Sequence, residues 1–113
     1  MGKLAQDFTT WKGNYRQIVF YIEDVSTVTG GTAEWAMSLS ATGTTLILKT
    51  SANTGITLAG KNVTVNLDPV DTGESSGIAS GFYYHELRLV DIAGQPTTPA
   101  IGTVTLKDVL IKT

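Results

Sequence analysis

The chain has no cysteine, a single histidine and no apolar run approaching the length of a membrane-spanning helix. Each absence removes a class of function. Without cysteine there is no disulfide framework and no thiolate zinc site, so the fold rests on packing alone. With only His85, no multi-histidine metal centre can form. Charged residues make up 16% of the chain and the net charge is −2, which argues against a surface that tracks nucleic-acid phosphates. Met1 to Asp7 has no apolar run behind Lys3, so it does not read as a signal peptide. Helix-period patterns are nearly absent as well.

What remains is alternation. The 113 residues make one domain, 1–113, which should bury about two-thirds of its unfolded surface. Gly81 to Asp91 is the clearest segment, with Tyr83, His85, Leu87 and Leu89 on one face and Phe82, Tyr84, Glu86 and Arg88 on the other. Strands are also expected at Asp7–Lys12, Tyr15–Glu23, Thr32–Leu39, Thr45–Thr50 and Ile101–Leu106. Ile56–Leu58 and Val63–Leu67 flank Gly60 as a hairpin. Asp68 to Ser80 reads as a loop with one helical turn at Val70–Gly73. Seven to eight strands with turns every 8–12 residues predict an all-β antiparallel sandwich. The expected core is Ile18, Phe20, Ile22, Trp35, Met37, Leu46, Leu48, Val63, Val65, Leu67, Tyr83, Leu87 and Leu89, with Ala33 and Leu39 also inward.

Candidates for chemistry are few. His85 shares its face with apolar residues, which predicts a core histidine and not a ligand or base. Asp68, Asp71 and Glu74 share one loop but lack the spacing of a calcium loop, so a capped turn with solvated charges is expected. Glu23, Glu34, Glu86 and Asp91 could supply a carboxylate pair, but among ten acidic residues such a pair carries little information. Trp11, Tyr15, Tyr21 and Tyr84 are the aromatics expected at the surface, where they could meet a protein or stack on a sugar. Val109-Leu110-Ile111 is an apolar tail that could add to a neighbour's sheet. Residues 1–7 and 107–113 are candidate docking arms.

The order of elements carries a resemblance. Phe8 to Gly13 is followed by Ile18-Val19-Phe20-Tyr21-Ile22-Glu23-Asp24, then by Val28 to Ala36 with Thr29-Gly30-Gly31. Leu46 to Thr50, Gly55 to Leu58, Val63 to Leu67 and Asp71-Thr72 come next. Gly81 to Leu87, Asp91 to Gly94 and Gly102 to Leu106 close the series. From Phe8 to Leu106 this resembles the β-sandwich domain of tailed-phage virion proteins, similar to the N-terminal domain of the phage upper-baseplate protein family. Two stretches depart from that pattern. Val25 to Gly31 keeps Thr29-Gly30 without a clear Leu position, and Gly73 to Ser80 is longer and richer in glycine.

The resemblance implies an immunoglobulin-like fold and a non-enzymatic structural role in the virion. The domain would dock as tail, baseplate or neck adaptor, or as capsid decoration. It would be oligomeric in the particle and bind other virion proteins, with no cofactor, no small-molecule ligand, no nucleic acid and no membrane. The implied contacts are Trp11, Tyr21, Tyr84, Val109, Leu110 and Ile111. A carbohydrate-binding sandwich, stacking sugars on Trp11 or Tyr84, is the alternative.

Overall fold

The computed structural model describes residues 4–5, 7–22, 27–40, 42–52, 55–73 and 76–108. Its elements, in chain order, are β1 Leu4–Ala5, β2 Phe8–Trp11, β3 Arg16–Tyr21, β4 Thr32–Ser38, β5 Thr45–Thr50, β6 Ile56–Ala59, β7 Asn62–Leu67, α1 Pro69–Thr72, β8 Gly81–Val90 and β9 Pro96–Lys107. Two sheets pack face to face. The larger runs β1-β9-β8-β4-β5, with β2 also on β9, and the smaller runs β3-β7-β6. β1 and β2 lie parallel to β9, and the other pairs are antiparallel.

Local pattern explains most of this. In β8 every second residue from Tyr83 to Leu89 is buried, as alternation requires when one face meets a core. The β6–β7 hairpin turns on Gly60 and Lys61. Gly60 has φ +60°, at the position a type II′ turn reserves for glycine. Gly31 is needed for a different reason. A Cβ there would lie 2.4 Å from the Val90 carbonyl oxygen, so no side chain fits between the start of β4 and the end of β8.

Eleven of the thirteen expected core residues are buried, and the two exceptions lie on β5. Leu46 and Leu48 face solvent, and Ile47 between them fills the core. An apolar triplet has no period of its own. Its orientation follows from β4, where Met37 points inward opposite Ile47 and Ala36 points outward opposite Leu48. A register shift beside Met37 leaves Leu46 without a partner. The same irregularity ends the alternation of β4, so Leu39 is exposed and not inward as expected.

Both ends of the chain bring further corrections. Leu4–Ala5, within the expected docking arm, is paired to Ala100 and Ile101 of the protein's own sheet. β9 begins at Pro96 and not at Ile101. Proline supplies no N–H to a ladder, so Pro96 and Pro99 argue against a strand by sequence alone. The ladder accommodates Pro99 with a register shift between Leu87 and Leu89.

The topology is that of an immunoglobulin-like sandwich, as expected. β3, β7 and β6 stand where strands B, E and D stand in a variable-type domain, and β9, β8, β4 and β5 stand at G, F, C and C′. Two side-chain hallmarks of that fold are present. Trp35 on β4 is fully buried, and the Tyr83 hydroxyl donates to the Ala79 carbonyl as a tyrosine corner. In antibody domains the residue two beyond that tyrosine is the second cysteine of the inter-sheet bridge. Here it is His85.

Candidate docking face and the buried histidine

His85 is fully buried, in agreement with its expected core position. The Trp35 indole N–H donates to its Nδ1 at 3.1 Å. Nδ1 therefore carries no proton in this arrangement. Phe20 from the opposite sheet lies 6.2 Å from the imidazole centroid, and Phe8 meets it edge-on at 5.1 Å. A polar and aromatic cluster thus occupies the space where a B–F disulfide would sit. With no solvent exposure, the imidazole has no route to a substrate.

The capped turn expected here is present, with Asp68 as the N-cap of α1 and itself exposed, but Asp71 is not a solvated charge. Asp71 Oδ2 accepts from the Lys49 ammonium at 2.6 Å and from the Asp68 backbone N–H at 2.7 Å. Lys49 points inward from β5, so the contact ties the edge of the larger sheet to α1, the turn that follows β7 of the smaller one. Glu74 lies outside the described residues. Gly73-Glu74-Ser75-Ser76-Gly77 has the spacing of a nucleophile elbow, but it follows the helical turn α1 and not a strand, the context an elbow requires. Asp91 accepts from the Ala93 and Gln95 N–H groups and so braces the β8–β9 turn.

The expected contact residues divide between two faces. Trp11 and Tyr84 lie on the outer face of the larger sheet, with Lys107 6.0 Å from the Trp11 ring centroid. Tyr21 lies on the outer face of the smaller sheet, under the Lys61 ammonium at 5.6 Å. Val109, Leu110 and Ile111 lie outside the described residues.

The two outer faces differ in chemistry. The smaller sheet presents Gln17, Thr57, Asn62, Thr64 and Asn66 around Val19 and Tyr21, and Tyr15 and Gln17 both donate to Asn66 Oδ1. The larger sheet presents Phe82 at 74% exposure, Leu48 at 55% and Trp11 at 43%, with Leu46, Tyr84 and Ile101 beside them. Between Tyr84 and Leu48 stand only the short side chains of Ser38 and Ala36. The charges on this face balance, with Glu34 directly opposite Arg88 and with Glu86 and Lys107 nearer its other rows. Sequence reading placed Phe82 outward but did not name it as a contact, and it lost Leu48 to the core. The missing signal was the register of β5.

Tyr84 is electrostatically tied to this face. Partial burial, then the Glu86 charge, then a hydrogen bond to Glu86 raise its hydroxyl above the ordinary 10.0. A group raised on folding stabilises fully below its unfolded pKa, and that contribution is lost as pH rises through the folded value. Stability at alkaline pH should therefore fall less steeply for Tyr84→Phe than for the unaltered chain. The difference absorbance titration between the two should place Tyr84 above 10.0, and Glu86→Gln should move it back down. A titration at the ordinary value would show that Glu86 does not hold this hydroxyl.

No family model and no curated protein matches the chain. Solved structures do. The extracellular domain of the voltage-gated sodium channel beta4 subunit, described as a parallel homodimer with a role in cell–cell adhesion, superposes at TM-score 0.51 and 18% identity over 97% of this chain and 96% of that one. CopC from Methylosinus trichosporium OB3b superposes at TM-score 0.50 and 16% identity over 97% of this chain and 91% of that one. At such identities the likeness extends to the fold, and the chain is an immunoglobulin-like β-sandwich.

Proposed function

We propose that this domain is a non-enzymatic docking module that binds another protein through the outer face of its larger sheet. The observation that carries the reading is the apolar group Phe82, Leu48, Leu46 and Trp11 exposed on one sheet face with balanced charge. Scattered exposed apolar residues are ordinary on a soluble domain, whereas several large ones on a single sheet face suit an interface. The resemblance to tailed-phage virion domains supplies the setting: a structural subunit, made in the host cytoplasm, that attaches to other virion proteins.

Mass spectrometry of purified particles from the source tests this. The chain should be present in stoichiometric amounts. A Phe82→Asp, Leu48→Asp variant should fall at least about tenfold in incorporation, the effect of losing a central apolar contact of 1.4 kcal/mol or more, while its melting temperature is retained. Absence of the chain from particles would remove the virion setting. Binding to a defined glycan, lost in Tyr84→Ala, would replace protein docking with sugar recognition.

A further inference from the structure

Strand edges on a sheet invite pairing, and three of the four here are guarded. The larger sheet ends on one side in β1 and β2, two and four residues long, and on the other in β5, where Lys49 points inward beside a bulge. The smaller sheet ends on one side in β6, four residues long. Shortness, inward charge and bulges are the devices that prevent strand addition. β3 has only one of them, and only at its first residue: Arg16 shares the inward parity of Ile18 and Phe20 and donates to the Thr9 carbonyl at 3.2 Å. Its six-residue ladder with β7 is regular, Gln17 to Tyr21 contains neither proline nor charge, and no strand among the described residues covers its outer side.

The hydrogen-bonding parity of this edge is defined. The Ile22 N–H donates to the Lys61 carbonyl at 2.8 Å, on the β7 side. Backbone groups alternate along an antiparallel strand, so Ile18 and Phe20 also address β7. Gln17, Val19 and Tyr21 then direct their N–H and C=O groups away from the sheet.

We propose that this edge is taken by β3 of a second copy of the chain, antiparallel, with the two-fold axis at Val19. In that register Val19 faces Val19 of the second copy, and Gln17 faces its Tyr21. Those three pairings satisfy every outward group, giving about six main-chain hydrogen bonds. No charged residue within Gln17 to Tyr21 meets its like across the axis. On the inner side Ile18 comes opposite Phe20, and on the outer side Val19 at 54% exposure is covered. The joined sheet runs β6-β7-β3-β3-β7-β6 and ends in the short β6 on both sides. A second copy therefore closes the open edge without creating another, which a strand of unrelated sequence does not guarantee. This goes beyond docking through the larger sheet and does not depend on it.

A chain without cysteine makes the register directly testable. In Val19→Cys the two thiols sit on the axis, on Cα atoms about 5.5 Å apart, within disulfide range. In Gln17→Cys they are offset by four residues, about 13 Å. Mild oxidation should convert most of the first variant to a covalent dimer and little of the second. Sedimentation of the unaltered chain should give twice the 12.0 kDa monomer mass. Val19→Lys should halve it with the far-UV circular dichroism of the folded sandwich retained, because its exposed side chain is not part of the core. A 12.0 kDa species at every concentration, or equal cross-linking of both cysteine variants, overturns the proposal. So does a dimer that survives Val19→Lys but not Phe82→Asp, which would place self-association on the larger face. Virion incorporation of Val19→Lys separates this contact from docking through Phe82.

Discussion

Trp35→Ala is expected to destabilise the domain by about 3–5 kcal/mol, the usual cost of emptying a large aromatic site in a close-packed core. That is a large fraction of the roughly 5–15 kcal/mol a domain possesses, so the variant should be at the margin of folding at 37 °C. Two losses combine. The indole is the largest fully buried side chain, and its N–H is the donor to His85 Nδ1. Trp35→Phe separates them, because it keeps much of the ring and removes only the donor. It should cost about 1–3 kcal/mol through the hydrogen bond alone. Urea denaturation of both variants measures this. If Trp35→Phe were as stable as the unaltered chain, the Trp35–His85 bond would contribute nothing, and the cluster would stabilise by packing only.

The cluster also bears on how a sandwich of this type holds together without a disulfide. A covalent bridge between the sheets acts largely on the unfolded chain. Phe20, His85 and Trp35 act in the folded state, by filling the same space and satisfying its polar atoms. Their contribution is therefore indifferent to reductant, and thermal unfolding should be unchanged by it.

Asp71→Ala should have the second-largest effect, a loss of about 2–3 kcal/mol. Lys49 has a side chain only 12% exposed, so removing its partner leaves a cation poorly solvated. The same substitution leaves the Asp68 N–H without its acceptor. Asp68→Ala is the contrasting case. Asp68 is 58% exposed and 3.8 Å from Lys49, so its loss should fall within about 0.5 kcal/mol. Combining Asp71→Ala with Lys49→Met should restore much of the stability, since neither charge then remains buried. Equal effects from Asp68→Ala and Asp71→Ala would show that the ammonium is solvated after all and that this end of the sandwich is not held by the pair.

The candidate face was partly legible from sequence, and the illegible part has a specific cause. Phe82 and Tyr84 alternate with buried residues inside a strand whose polar positions are unambiguous, so their outward direction followed from the sequence. Leu46-Ile47-Leu48 contains no polar residue to mark a face. Counting apolar residues favours burying two leucines over one isoleucine, and the count misled. Lys49 was unremarkable for the same reason: its inward direction is the complement of Leu48 facing out. The partners that guard β9 were hidden differently. Leu4–Ala5 is too short to have a period, and it becomes a strand only because β9, nearly a hundred residues later, offers a parallel edge.

By itself the sequence determined the strand period, the Gly60 hairpin, the direction of β8 and the burial of His85, because each depends on side-chain alternation and turn chemistry within a few residues. Tertiary structure alone decided the face of β5, the start of β9 among its prolines, the pairing of Lys49 with Asp71, and the placing of Phe82 and Leu48 on one surface. Each of these is a relation between segments far apart in the chain. Register across a ladder sets it, and a one-residue slip in that register reverses every side chain.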